Sequence, residues 1–266
     1  MKRLLFIIPF LFLPLTAGAA LTDSLEAYWT LDEASGTRVD STANGNDLTD
    51  NNTVTSAAGI INNGADFERN NTEKLTITDA SQTGLDLTSD FTVMNWFKLE
   101  STNGEPSFFS KWNATGNQRS FIIGFTNQTN VQMGASANGS TQLFKNGTVS
   151  SVSLGTLYQF FLSYDASAGT ADVYIYTTSG TLHDSVTITG LPTSILNSSA
   201  DFNLGTIQTG ASSGQYYDGI QDEVGVWSRI LTSDERTELN NSGAGLAYPF
   251  SAGGGATPKQ DIIWFQ

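Results

Sequence analysis

The chain has 266 residues, of which 39% are hydrophobic and 14% are charged, and it contains no cysteine. Its net charge of −14 and its pI near 4.2 exclude a typical nucleic-acid-binding protein, because phosphate binding needs clustered Lys and Arg. His183 is the only histidine, which rules out a Cys–His pair and a histidine-rich transition-metal site. The surplus of Gly, Asn, Ser and Thr indicates one turn-rich β domain.

The first 20 residues are typical of a secretory signal peptide. Basic residues at 2–3 precede an apolar run over 4–15 and small residues at 17–20, which are the three regions of such a peptide. The run is shorter than the ~20 residues that cross a bilayer, and Pro9 and Pro14 interrupt it. We therefore expect an exported protein, bacterial in origin, that is secreted, periplasmic or on the cell surface, with no membrane span in the mature chain.

Residues 21–250 are predicted to form a single domain. Short runs rich in Val, Ile, Phe, Tyr and Thr alternate with Gly, Asn and Ser, as in an all-β sandwich. The run at 91–99 is apolar on both faces and predicts an interior strand. Strands are predicted near 26–31, 60–68, 74–78, 91–99, 107–112, 120–126, 130–135, 157–165, 171–178, 182–189, 202–206 and 219–229.

A capped helix follows the last predicted strand. Thr232 and Glu235 have the spacing of a capping box, in which each side chain binds a main-chain amide of the other residue. The helix should begin at Ser233 and end near Gly243.

Several motifs carry a family resemblance in order along the chain. They are Ala-Tyr-Trp-Thr-Leu-Asp-Glu at 27–33, Asp-Ser-Thr-Ala-Asn-Gly-Asn at 40–46, Asp-Phe-Thr-Val-Met-Asn-Trp-Phe at 90–97, and Gly-Ile-Gln-Asp-Glu-Val-Gly-Val-Trp at 219–227. Over about residues 25 to 245 the chain resembles laminin-G-like and concanavalin A-like lectin/glucanase jelly rolls. The resemblance implies an all-β, two-sheet jelly-roll sandwich with one short C-terminal helix.

Catalysis is not expected. Glycosidases of this type of fold place acids at alternate positions of one strand, so that the acids project together. The Asp32-Glu33 and Asp222-Glu223 pairs are adjacent instead, and neighbours in a strand point to opposite faces.

A structural calcium ion is a second implication of the resemblance, with Asp222 as the carboxylate ligand and Asp40 and Asn44 of the 40–46 loop as further ligands. Oxygen-rich side chains of this kind suit Ca²⁺. Two interpretations remain open, because Asp40 and Asn44 are also typical turn-capping residues and Asp222 could be a solvated acid at a strand end.

Candidate ligand-binding residues are the aromatic and amide side chains in polar segments. Trp112 and Asn113 are predicted to lie in one loop, and Tyr216 and Tyr217 in another, after a Gly-rich stretch. Such loops above a sheet commonly carry binding residues. The alternative is that these side chains anchor their loops by edge packing. In contrast, the tryptophans of predicted strands are expected in the core: Trp29, Trp96 and Trp227.

The sequence therefore predicts a non-catalytic carbohydrate-binding or adhesion module, with a glycan or cell-surface polysaccharide as its partner. Two alternatives stay open: a structural or protein-interaction module of a cell surface or appendage, and a glycan-degrading enzyme of the same fold. Residues 251–266 combine a Gly-rich linker with an apolar end, which is interpreted either as a clasp on the domain or as a docking peptide for a protein partner.

Overall fold

The computed structural model describes residues 19–208 and 213–250. Most of the predicted signal peptide and the whole tail 251–266 lie outside the described residues, so both stay predictions. None of the described helices has the length and apolar character needed to cross a membrane.

The described residues form strands β1 to β17 and one α-helix, α1. Their bounds are β1 Leu25–Trp29, β2 Thr49–Asn51, β3 Thr55–Ala58, β4 Asn63–Phe67, β5 Lys74–Ile77, β6 Phe91–Leu99, β7 Ser107–Asn113, β8 Gln118–Asn127, β9 Asn130–Ala135, β10 Leu143–Thr148, β11 Leu157–Asp165, β12 Thr170–Thr177, β13 Leu182–Thr189, β14 Phe202–Leu204, β15 Ile207–Gln208, β16 Ser213–Gly214, β17 Gly219–Trp227 and α1 Ser233–Asn240.

Two sheets contain all of these strands. Sheet A has eight strands in the order β13-β12-β11-β6-β17-β4-β3, and β1 also pairs with β17. Sheet B has nine strands in the order β10-β9-β8-β7-β14-β5-β2, with the β15–β16 hairpin joined to β7. The described ladders are antiparallel except for the contact of β15 with β7. The predicted two-sheet jelly-roll sandwich with a short C-terminal helix is thereby confirmed.

The main core lies between the two sheets. Phe97 of β6 and Phe108 of β7 face each other across the sandwich, with ring centroids 5.0 Å apart. Strand β6 is paired on both edges, with β11 and β17, as expected for an interior strand. Because each buried aromatic ring removes a large apolar area from water, this layer dominates the stability of the fold.

The outer face of sheet A is covered by both ends of the domain. Helix α1 begins with the predicted capping box, in which Thr232 accepts from the Glu235 amide and Glu235 accepts from the Thr232 amide. The indole of Trp227 donates to the Leu21 carbonyl at 2.7 Å, which fixes the N-terminal segment. A second buried apolar cluster results, made of Leu21, Leu25, Tyr28, Met94, Phe161, Trp227, Leu231, Leu239 and Phe250.

The outer face of sheet B is covered over β7 only in part. The Ser110 hydroxyl donates to the Thr206 carbonyl at 2.7 Å, and Ile207 packs with Trp112 and Ile122 in a small separate cluster. The chain at the start of the β15–β16 hairpin therefore lies over this part of the sheet. The outward positions of β9 and β10 include exposed side chains.

Besides the two-residue strands β15 and β16, three observed strands fall outside the predicted set: β2, β3 and β10. Each is the last strand in the order of its sheet. An edge strand has one unpaired side and is partly exposed, so it need not show apolar alternation. The predicted core position of Trp29, Trp96 and Trp227 is confirmed, since all three are buried.

Candidate functional site

The four predicted ligand-binding residues do not converge. Trp112 and Asn113 end strand β7, whereas the Gln215 carbonyl accepts from the Ser107 amide at its beginning, which places Tyr216 and Tyr217 near that end. Six residue steps of strand separate Ser107 from Asn113, about 20 Å. A single small ligand would not reach both pairs.

Trp112 lies in strand β7, as the strand predicted near 107–112 implies, so its assignment to a loop is wrong. Side chains alternate along β7, so Trp112 lies on the outer side of sheet B, where it packs with Ile122 and Ile207 and is 2% exposed. Lys111 is also buried, with its ammonium against Asp79 and the Ala200 carbonyl. The polar residues that flank Trp112 in the sequence therefore do not indicate that this end of β7 is buried.

The other candidates also have local structural partners. Tyr217 is fully buried, and its hydroxyl lies 2.9 Å from the carbonyl oxygens of Lys98 and Ile220. Its predicted place on an accessible loop is therefore wrong, and burial raises the pKa of its hydroxyl. Asn113 accepts from the Thr115 amide at 2.9 Å, and Tyr216 is half-buried.

Asp40 and Asn44 have the contacts of turn-capping residues. Asp40 accepts four hydrogen bonds: from the main-chain amides of Tyr28, Thr42 and Asn46 and from the Thr42 hydroxyl. Asn44 donates through its amide to the Glu26 carbonyl at 2.9 Å. These four bonds occupy the lone-pair positions of the Asp40 carboxylate, so the loop does not fit a cation site.

Asp222 is not a solvated acid at a strand end but a fully buried one, which corrects that alternative. One carboxylate oxygen accepts from the amides of Ile60 and Ile61 at 2.7 and 3.1 Å, and the other accepts from the Glu223 amide at 2.9 Å. Amide hydrogens carry partial positive charge. They stabilise the charged form of the Asp222 carboxylate and leave it poorly placed to bind a cation. Calcium at Asp222, Asp40 and Asn44 stays a prediction, and these contacts argue against it.

The neighbouring Glu223 is buried too, at a bulge in β17. The register of β17 shifts between Asp222 and Gly225, and Glu223 has a left-handed φ of 47°, which is uncommon for a residue other than glycine. The Tyr28 hydroxyl donates to its carboxylate. Burial raises the pKa of Asp222 to about 7 and that of Glu223 to about 8.

A cluster of acids forms at one end of sheet A. Carboxylate oxygens of Asp66, Glu68 and Glu100 all lie within 4.8 Å of one another. Desolvation, which is stronger at Asp66 than at the exposed Glu68, raises the pKa of both acids, and neighbouring acids, including Asp218, add to it. Glu68 and Glu100 are exposed, and Lys98 forms an ion pair with Glu100 at 2.8 Å.

The open end of sheet B presents a different chemistry. Phe144, Asn146 and Thr148 of β10 pair directly with residues of β9, and the alternate β9 residues Val131 and Met133 are in the core. Side chains alternate across a strand, so the remaining positions face outward. We call this outward surface the shelf; it consists of Asn130, Gln132, Gly134, Phe144, Asn146 and Thr148.

Phe144 is the aromatic group of the shelf. Its side chain is 40% exposed, and its ring centroid lies 5.5 Å from that of Trp112 at an interplanar angle of 45°. A Cβ atom at position 134 would lie 2.6 Å from Phe144 Cε1, so only glycine at that position lets the ring lie against the sheet. The Phe144 ring therefore lies over Gly134 and packs against Trp112.

The amides of the shelf leave groups free for a ligand. Gln132 Nε2 donates to Asn146 Oδ1 at 3.0 Å, and the Thr148 hydroxyl donates to Asn130 Oδ1 at 3.2 Å. These bonds hold the side chains in place. The Asn146 Nδ2 group and the Gln132 Oε1 atom have no hydrogen-bond partner among the described residues, and they can donate to and accept from hydroxyl groups.

Sequence reasoning missed the shelf because β10 is not predicted as a strand. The one available signal is the alternation of polar Asn130 and Gln132 with apolar Val131 and Met133 in β9, which indicates a polar outward face.

A family model matches residues 69–235 of this chain, under the description "Concanavalin A-like lectin/glucanases superfamily". The chain belongs to this superfamily. The resemblance that the motifs indicated is therefore confirmed.

Solved structures share the fold at low sequence identity. Domain 4 of AbnA, an extracellular GH43 arabinanase of Geobacillus stearothermophilus solved with arabinotriose, has a TM-score of 0.57 and 21% identity over 81% of this chain and 97% of its own. The binding domain of Paraclostridial Mosquitocidal Protein 1 has a TM-score of 0.61 and 13% identity, over 82% of this chain and 52% of its own.

A third similar structure is the binding domain of Botulinum neurotoxin DC with rat synaptotagmin II, with a TM-score of 0.53 and 13% identity, over 82% of this chain and 51% of its own. The chain spans about half the length of the two toxin domains. Comparison with curated protein sequences gives no match.

Proposed function

We propose that this protein is an exported, non-catalytic carbohydrate-binding module whose ligand lies on the shelf of β9 and β10. The observation that carries the proposal is the combination of the half-exposed Phe144 ring with the free amide groups of Gln132 and Asn146. An aromatic face beside a few oriented polar groups is the usual composition of a small-ligand site.

The superfamily and the structural comparisons support the same proposal. AbnA domain 4 was solved with arabinotriose, and the two toxin neighbours are binding domains. At these identities the likeness concerns the fold, and fold alone does not fix function. The sugar specificity of AbnA domain 4 is therefore not transferred to this chain.

Affinity electrophoresis of the mature chain on a panel of soluble polysaccharides tests the proposal. Phe144→Ala is expected to weaken binding by about tenfold or more, since loss of a central aromatic contact should cost about 1.4 kcal/mol or more. Leu143→Ala is the matched control: Leu143 is 37% exposed on the same strand but pairs with the core residue Ala135. Equal retardation of both variants would locate the site elsewhere.

Glycan hydrolysis is the rival function, and the acid cluster is the observation that favours it. Retaining glycosidases hold two carboxyl groups about 5 Å apart, and Asp66, Glu68 and Glu100 approach within 4.8 Å. Release of reducing ends from a bound polysaccharide, lost in Glu68→Gln, would support this rival. We expect no release.

A protein-interaction role remains the other alternative, through residues 251–266, and it would be supported if the full panel gave no binding.

The calcium prediction has its own test. The melting temperature with calcium should exceed that with a chelator by several degrees if the native state alone binds the ion. Equal melting temperatures would show that the folded chain binds no stabilising calcium.

A further inference from the structure

The shelf carries no ionisable side chain: its members are amides, a hydroxyl, a glycine and a phenylalanine. Lys145 lies between Phe144 and Asn146 in sequence but points the other way, toward Gly190. Arg119 pairs with Trp112 and is not a member of the shelf; its guanidinium donates to the Gly139 carbonyl at 2.9 Å and to Asn117 Oδ1 at 3.3 Å. A carboxylate or sulfate on a sugar would therefore find no charged partner on the shelf, and recognition of such groups usually uses Arg or Lys.

The net charge of the whole chain also disfavours an acidic ligand. It has 12 Lys and Arg against 26 Asp and Glu, and the resulting negative potential opposes the approach of a polyanion. A neutral sugar chain meets no such penalty, and its hydroxyl groups match the free Asn146 and Gln132 amides.

The dimensions of the shelf indicate the length of ligand. Phe144, Asn146 and Thr148 follow one another at alternate positions of β10, so neighbouring members are about 7 Å apart and the outer pair about 14 Å apart. The aromatic ring stands at one end, the free amide in the middle and the hydroxyl at the other end. This row is longer than one pyranose ring.

We infer that the ligand is an uncharged oligosaccharide of more than one residue, extended along β10 with one sugar ring against Phe144; this rests on the proposed function. Asn146 stands in the middle of this row, so a cation introduced at position 146 would contact an acidic sugar.

The test compares neutral with acidic oligosaccharides by calorimetric titration of the mature chain. The probes are arabino-, xylo- and cello-oligosaccharides on one side, and oligogalacturonides and sialyllactose on the other. We expect binding by at least one neutral series that changes less than about twofold between roughly 0.05 and 0.5 M salt, since screening acts on charged contacts. Asn146→Lys should gain several-fold affinity for the acidic series, whereas Asn146→Gln, which keeps the amide, should not.

The outcomes separate the two proposals. Tighter and salt-sensitive binding of an acidic series by the unmodified chain would overturn the neutral-ligand inference and leave the carbohydrate-binding proposal standing. Neutral binding that Phe144→Ala does not weaken would overturn the placement along β10. Absence of binding to every probe and to the wider polysaccharide panel would overturn the proposed function itself.

Discussion

The outer faces of the two sheets are built from different residues and have different surroundings. On sheet A, Tyr28 and Trp227 lie fully buried under the helix and the chain ends. On sheet B, the shelf presents amides and the half-exposed Phe144 ring. Both faces use aromatic residues, so aromaticity alone does not distinguish a packing face from a binding face. What distinguishes them is whether the chain itself supplies the cover.

The covered face also holds the groups that would be most costly in an apolar setting. Asp222 and Glu223 are buried on sheet A, and main-chain amides or Tyr28 satisfy them. The shelf buries no charge. A stability experiment should therefore respond to changes on sheet A, and a binding experiment to changes on sheet B.

The largest expected effect is on stability and comes from Trp227→Ala. Removal of this fully buried ring and its bond to the Leu21 carbonyl should lower the free energy of unfolding by about 3–5 kcal/mol. Phe144→Ala should cost about 1 kcal/mol or less, because the Phe144 side chain is only partly buried. Urea denaturation of both variants measures the difference, and similar losses would break the contrast between the faces.

The next effect is a loss of stability as pH rises. The folded-state pKa values of Asp222 and Glu223, about 7 and about 8, lie above the ordinary values of 3.8 and 4.5. The folded protein thus holds protons that the unfolded chain releases, so stability falls between about pH 4 and pH 8. Each acid contributes up to about 1.4 kcal/mol per pH unit, so the steepest slope, near pH 6, should be about 2–3 kcal/mol per pH unit.

Glu223→Gln isolates the contribution of one acid, since Gln can still accept from the Tyr28 hydroxyl. The variant should lose part of the slope and melt above the unmodified protein at pH 8–9. Melting curves across pH 4–9 decide this; a variant that keeps the full slope would show that Glu223 does not titrate as described.

A smaller effect is expected from Thr232→Ala, which removes the cap of the helix that covers sheet A. The Thr232 side chain accepts from the Glu235 amide, and loss of such a cap typically costs about 1 kcal/mol. Binding on the shelf should not change. Weaker glycan binding in this variant would mean that the two faces are coupled.

The fold was predictable wherever local chemistry determines it. The Thr232–Glu235 capping box and the alternation in the closing strand gave helix α1 and strand β17 almost to their ends. The bulge at Glu223 was not predictable, because a left-handed φ at a glutamate is imposed by its surroundings rather than by its sequence neighbours.

The candidate site was much less predictable from the sequence. Trp112 has polar neighbours that indicate a loop, yet Ile122, Ile207 and Phe144 bury it from distant parts of the chain. Phe144 lies in an edge strand, β10, and the Lys, Asn and Gly residues of β10 prevent its recognition as a strand from the sequence. Both cases depend on tertiary contacts, which residue patterns alone do not report.

We expect a glycan to contact the open face of sheet B rather than the acid cluster of sheet A. Hydrogen–deuterium exchange of the mature chain, with and without a bound oligosaccharide from the neutral series, tests it most directly. We expect slower amide exchange at residues 130–134 and 143–148 and unchanged exchange around Asp66, Glu68 and Glu100. Protection at the acid cluster with none on β9 and β10 would contradict it.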